Sequence, residues 1–190
     1  MKPVVILVNG MPGTGKSTLA SKLRDDLQLP LVSKDGLKEY FYDVLGVTTR
    51  DESRAVGAAC LDMIYALTRE YAAQGLSVMI ESPMFYRYAK PEFEDILEEI
   101  DITFVEVHCR TNKDVRRDRM AYRRQHENRH AIHMLTETIL GENDPEPGDY
   151  EPLGIGTLFE IDTTSFSDDH YAKLLNDIKL TIPQGGQYER

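Results

Sequence analysis

Cysteine is scarce in this chain, with only Cys60 and Cys109 among 190 residues. Two thiols exclude a disulfide framework and a four-cysteine zinc site. Each lies in an apolar stretch, where a buried free thiol is the ordinary outcome, so a reducing, cytoplasmic compartment is expected. Long hydrophobic runs are lacking as well. The opening MKPVVILVNG holds five consecutive apolar residues, too few for a membrane span of about 20 or for a signal-peptide core. Internal repeats and low-complexity blocks are absent, which excludes solenoids and arrays. Basic residues are in deficit: 22 Lys plus Arg stand against 32 Asp plus Glu, for a net charge of −10. A protein that holds nucleic acid mainly through counterion release needs a basic face, so any such face here must be local.

What the chain does contain is an alternation. Short apolar runs rich in branched residues are predicted as strands at Val4 to Asn9, Leu31 to Ser33, Leu76 to Glu81, Ile102 to Cys109 and Thr157 to Asp162. They are continuous in apolar character, as strands covered on both faces are. Between them, apolar positions recur every three or four residues. One helical stripe runs Leu19, Ala20, Leu23, Leu27 and stops before Pro30; another runs Val56, Cys60, Ile64, Leu67, Tyr71 and closes at Gly75. Pro91 is predicted to open a third helix, and Ser167 to cap a last one. The pattern predicts an α/β fold: a three-layer α/β/α sandwich around a five-stranded, mainly parallel sheet. Residues 1–190 are expected to form a single domain, and ligands belong outside the carboxyl ends of the strands.

Directly after the first strand the chain reads Gly10-Met-Pro-Gly-Thr-Gly15-Lys16-Ser17-Thr18, a full GxxxxGKS phosphate loop at a strand-to-helix junction. Gly10, Gly13 and Gly15 let the backbone wrap an anion, while successive amides, including those of Thr14 and Thr18, and the helix N-terminus point at phosphates. Lys16 is expected to reach the β- and γ-phosphates of ATP, and the Ser17 hydroxyl to ligate Mg²⁺. The second strand runs into Ser33-Lys34-Asp35-Gly36. Asp35 there faces the same crevice, where a carboxylate can accept the proton of an attacking hydroxyl. It can equally cap a helix beginning at Leu37. Lys34 and Lys38 flank it with positive charge.

Gly10 to Thr18, followed by Asp35 after the second strand, resembles the P-loop kinases that phosphorylate hydroxyls on small molecules and nucleic-acid ends. Polynucleotide kinase, chloramphenicol phosphotransferase, zeta toxin and gluconate kinase share this plan. The resemblance implies the P-loop NTP hydrolase fold with a helical lid, and Asp35 as general base. Much of the group has an arginine three residues after that acid, where this chain has Lys38, which keeps the charge and loses the two-pronged donor geometry. Glu81, at the end of the third strand, fits the slot where related kinases place an acid near the metal or the acceptor. A strand-end carboxylate meeting a neighbouring helix is the other reading.

Positive charge is concentrated after the fourth strand. Residues 110–133 hold eight Lys and Arg against three acids, a local balance of +5 that leaves −15 for the rest of the chain. The stretch Val115-Arg-Arg-Asp-Arg119-Met-Ala-Tyr-Arg123-Arg124 resembles the kinase lid, expected at about 110–133. The resemblance implies Arg119 nearer the adenine and Arg123 nearer the phosphates, where both stabilise charge as the bond to the leaving oxygen loosens. Arg129-His130 and His133 follow without an assigned role. The acidic stretch from Gly141 to Pro152 reads as a polar loop, and Asp162-Thr163-Thr164-Ser165 resembles the turn beside the adenine ring. Together these features predict an ATP- and Mg²⁺-dependent kinase acting on a hydroxyl of a small-molecule acceptor. A 5′-hydroxyl polynucleotide kinase and a nucleotide-gated regulatory ATPase module are the alternatives. The −15 outside the lid disfavours nucleic acid as a partner, no membrane is expected, and the acceptor and the oligomeric state are not specified by the residues.

Overall fold

In a computed structural model, Val4–Asn9 forms β1 with all six residues buried. The structure describes residues 2–126, 130–136 and 147–182; positions 127–129 of the expected lid and 141–146 of the acidic stretch lie outside the described residues. The other strands are Leu31–Ser33 (β2), Val78–Glu81 (β3), Thr103–Arg110 (β4) and Thr157–Asp162 (β5). Their order is β2-β3-β1-β4-β5, and every pairing is parallel. The sheet is thus wholly rather than mainly parallel, and each return to it requires a covering crossover.

The helices are Lys16–Leu27 (α1), Lys34–Leu45 (α2), Arg50–Ala73 (α3), Tyr86–Glu99 (α4), Lys113–His126 (α5), Ala131–Thr136 (α6) and Asp168–Thr181 (α7), with a 3-10 turn at Pro147–Tyr150. Side chains along a strand alternate between faces, and β1 feeds two cores in this way. Val4, Ile6 and Val8 pack with Leu19 and Leu23 of α1 and Leu174 and Ile178 of α7. Val5 and Leu7 pack with Ile64 of α3 and Phe93 and Ile96 of α4. Each such fully buried side chain contributes roughly 1.5–3 kcal/mol of transfer free energy. This is the expected three-layer sandwich.

Three local expectations are corrected. β3 begins at Val78 rather than Leu76, because Gly75 (φ +73°) ends α3 in a turn in which Gly75 N donates to Ala72 O and Leu76 N to Tyr71 O, both at 2.9 Å. β4 runs one residue later than predicted at each end. α4 starts at Tyr86, so Pro91 lies inside it rather than opening it. The first turn forms upstream of the proline, where Tyr88 N and Ala89 N donate to Phe85 O at 3.1 and 2.9 Å. The buried stripe of Ala89, Phe93 and Ile96 holds the helix despite the one donor the proline lacks.

Candidate active site

Parallel strands bring their carboxyl ends to one edge, so the chain reversals after β1, β2, β3 and β5 gather around the N-terminus of α1. The loop after β1 turns on Gly10 (φ +130°), where an added Cβ would lie 2.1 Å from the Cys109 carbonyl oxygen, and on Gly13 (φ +85°), where it would meet Arg116 Cγ at 2.9 Å. Only glycine fits such positions without displacing backbone or a buried side chain. Within the loop, the Met11 carbonyl accepts from Lys16 Nζ at 2.8 Å and from Thr14 Oγ1 at 2.8 Å. Burial holds the Lys16 ammonium below the usual lysine pKa, an effect that Glu81 and Asp35 oppose. Ser17 and Thr18 follow in the first turn of α1.

The carboxylate of Glu81, only 4% exposed, accepts from Ser17 Oγ at 3.2 Å and from Ser33 Oγ at 2.9 Å. It therefore sits beside the α1 N-terminus, and a hydroxyl from β2 holds its second oxygen. A buried carboxylate next to the phosphate-loop hydroxyl is a hard-oxygen donor set that suits Mg²⁺. Among the described residues no group of three or more His, Cys, Asp or Glu side chains is arranged to hold a metal.

Asp35 does not cap a helix. Ser33 is the N-cap of α2, with its side chain accepting from Gly36 N, and the helix begins at Lys34. Asp35 falls in its first turn, where the helix dipole favours a negative charge. It is exposed, and its charge opposes the effect of burial on Lys16. Lys38, one turn on, is 8% exposed.

On the opposite side, α5 lays residues 116, 119, 120 and 123 along the phosphate loop, the i, i+3, i+4, i+7 face of a helix. Arg119 donates from Nη1 to Thr163 Oγ1 at 3.1 Å and from Nη2 to Thr163 O at 2.6 Å. The Thr163 hydroxyl donates to Thr14 O at 2.7 Å, so one threonine after β5 ties Arg119 of α5 to the phosphate loop. Arg123 acts on Lys16 from the same face. Between α1, α5 and the 163–166 turn lies a cleft of about 760 Å³. His130, just before α6, and His133 within it meet Asp43 (3.1 Å) and Glu39 (2.6 Å) of α2.

Three contributors are not singled out in the sequence. Asn9 Oδ1 accepts from Gly10 N at 2.7 Å and Met84 N at 2.9 Å while its Nδ2 donates to Glu106 at 3.0 Å. The available signal is Glu106, an acid inside an otherwise apolar strand. Ser33 holds Glu81, and nothing about a lone serine announces it. Arg116, 4% exposed, packs on Gly13; its signal is its spacing of three and seven from Arg119 and Arg123.

The sequence profile of the family AAA_33, described as an AAA domain, matches residues 5–140. The chain belongs to this family. A curated relative, the "Probable adenylyl-sulfate kinase" of Aeropyrum pernix, is 26% identical over 188 residues, covering 95% of this chain and 94% of that protein. The crystal structure of "a putative kinase" from Chloroflexus aurantiacus has a TM-score of 0.86 at 28% identity, over 96% of this chain and 100% of that one. The Mycobacterium tuberculosis APS kinase, in complex with AMPPNP and APS, has a TM-score of 0.61 at 17% identity, over 94% and 98% of the two chains, and shows the shared fold. Family, fold and phosphate loop together make this a kinase-type P-loop enzyme.

Proposed function

We propose that the protein transfers the γ-phosphate of ATP to a hydroxyl of a small molecule, as a single domain over residues 1–190 in which residues 110–133 act as the lid. The observation that carries this reading is the convergence of Asp35 and the Ser17–Glu81 pair on Lys16 at one edge of the sheet. A hydrolytic switch needs the phosphate loop but has no use for a carboxylate in the first turn after β2. The attacking hydroxyl gives its proton to Asp35 as its oxygen bonds to the γ-phosphorus. The bond from that phosphorus to the bridging oxygen breaks, and ADP leaves. Lys16 and Arg123 stabilise charge on the phosphoryl oxygens, and positioning with electrostatics is most of what this chemistry requires.

Arg119, held by Thr163, borders the cleft beside Gly15 and Thr18, which suits the nucleoside end of ATP. Gly10, Gly13, Thr14 and Gly15 supply the phosphate cradle. Ser17 and Glu81 would hold Mg²⁺, which neutralises phosphate charge when bound. Both cysteines are free and buried, in keeping with a reducing, cytoplasmic compartment. Adenylyl sulfate, on which the Aeropyrum pernix relative is said to act, is one acceptor to test among many. The deciding experiment incubates the protein with labelled ATP, magnesium and a pool of metabolites and identifies the labelled product by mass spectrometry. One compound is expected to gain phosphate, and the Asp35→Asn protein is expected to lose that activity while still binding ATP. Label confined to slowly released free phosphate would refute the reading.

A further inference from the structure

A carboxylate lies in the middle of β4, where packing alone gives no reason for one. Glu106 is fully buried, between Val105 and Val107 in a strand buried from Phe104 to Cys109. Burying a charge costs several kcal/mol before its hydrogen bonds are counted, and an apolar side chain of similar volume generally fills such a place at less cost. Both oxygens of Glu106 act as acceptors. Oε1 takes a hydrogen bond from Asn9 Nδ2 at 3.0 Å and Oε2 one from Leu153 N at 2.8 Å, while the Gly154 amide also donates to the carboxylate. Burial raises its pKa, and these hydrogen bonds together with the Lys90 charge oppose that effect. His108 Nδ1, at 3.9 Å from Oε1, is too far for a hydrogen bond.

An ionised carboxylate can only accept, so it turns the donating end of the Asn9 amide toward itself. The amide oxygen is thereby turned the other way, where it accepts from two backbone groups at once: Gly10 N at 2.7 Å and Met84 N at 2.9 Å. Gly10 opens the phosphate loop at φ +130°, pressed against the Cys109 carbonyl. Met84 is fully buried three residues after Glu81, the carboxylate that accepts from Ser17. One side-chain oxygen therefore pins the start of the phosphate loop to the segment that ends β3.

We propose that Glu106 is a positioning residue for nucleotide binding: by orienting the Asn9 amide it fixes Gly10 and Met84, and with them the register of the phosphate loop against Glu81. The proposal rests on the kinase reading and deepens it. Phosphate binding by backbone amides depends on their direction, and a misplacement of a fraction of an ångström is enough to weaken it.

Exchanging the two side-chain chemistries tests the idea. In Glu106→Gln the new amide meets Asn9 donor to donor, or, turned over, meets the Leu153 and Gly154 amides in the same way. In Asn9→Asp two buried carboxylates face each other. The double variant Asn9→Asp/Glu106→Gln restores every hydrogen bond with the direction of the central one reversed, since the carboxylate at position 9 accepts from Gly10, Met84 and the amide at 106.

Affinity for a non-hydrolysable ATP analogue with magnesium is measured by calorimetry, alongside Tm. Each single variant is expected to bind at least about tenfold more weakly, and the double variant within about threefold of the unaltered protein. Single variants that lose Tm but bind the analogue as before would show a role in stability alone and overturn the proposal. So would a double variant that binds no better than the weaker single. If the single variants do not fold, the double variant decides: binding within about threefold upholds the proposal, and an unfolded protein or a loss beyond about tenfold overturns it. All these outcomes leave the kinase reading standing. An unaltered protein that does not bind the analogue would remove that reading and the proposal together.

Discussion

The two sides of the crevice are built differently. On the nucleotide side, Lys16 lies back on Met11, Arg119 is gripped by Thr163, and Thr163 is anchored to Thr14. Nearly every polar group there has a partner from the same side, and the loop geometry depends on glycines that no other residue replaces. On the α2 side, Asp35 is exposed and Lys34 is half-buried. The first side is held by contacts between remote segments of the chain, whereas the second presents an exposed carboxylate to the crevice.

The largest effect that sharpens this contrast is at Asp35. Asp35→Asn is expected to lower acceptor phosphorylation by about 10²- to 10⁴-fold, with ATP affinity in calorimetry changed less than about twofold. A matching loss of ATP binding would place Asp35 on the nucleotide side and erase the distinction. Lys16→Ala comes next. Removing the one ammonium of the phosphate loop is expected to slow transfer by about 10²- to 10³-fold and, unlike the Asp35 change, to weaken ATP as well.

Thr163→Val separates positioning from charge. It leaves the Thr14 carbonyl and one Arg119 donor without their present partner, and ATP affinity is expected to fall about tenfold, the worth of one or two hydrogen bonds. A change in acceptor KM at unaltered ATP affinity would contradict the role given to that threonine. The smallest effect lies in the strand beneath both sides. His108 of β4 is 7% exposed, its Nδ1 has no hydrogen-bond partner and lies 3.9 Å from Glu106 Oε1, and burial lowers its pKa, with Glu160 and Glu151 opposing. Because the folded value is depressed, its stability contribution is complete above about pH 6.5, the ordinary histidine value, and is lost as pH falls through the folded value. Melting curves from pH 7.5 to 5.0 are expected to show a downward slope that His108→Phe flattens, by about 2–4 °C for each kcal/mol involved. An unchanged slope in the variant would assign the acid sensitivity to a group other than His108, and not to Glu106, because burial raises the pKa of that carboxyl and so favours the folded state as pH falls.

The nucleotide side was legible residue by residue because phosphate binding is a local, backbone-level problem. The spacing of Gly10, Gly13, Gly15, Lys16 and Ser17 in eight consecutive positions states it. The central strands β1, β3 and β4 were legible because burial on both faces leaves continuous apolar runs, whereas β5 alternates between half-buried and exposed positions; the start of β3 shifted where the turn at Gly75 consumed part of the run. Pro91 misled because a lone proline usually marks a helix start, and here an apolar stripe on both sides of it outweighed one missing donor. Asp35 was ambiguous until Ser33 appeared as the cap of α2.

Chain order alone was enough for the α/β sandwich, its phosphate loop and the position of an acid after the second strand, since each follows from short-range periodicity and spacing. Contacts between distant segments were not encoded in that way. Thr163 meets Thr14 across 149 positions, Asn9 meets Glu106 across 97, and Ser17 meets Glu81 across 64. Those pairings, and the enclosure of Lys38 against Gly57, exist only once the parallel order of strands has folded remote residues onto one edge. Side-chain partnership in space depends on register and packing, and no local pattern carries either.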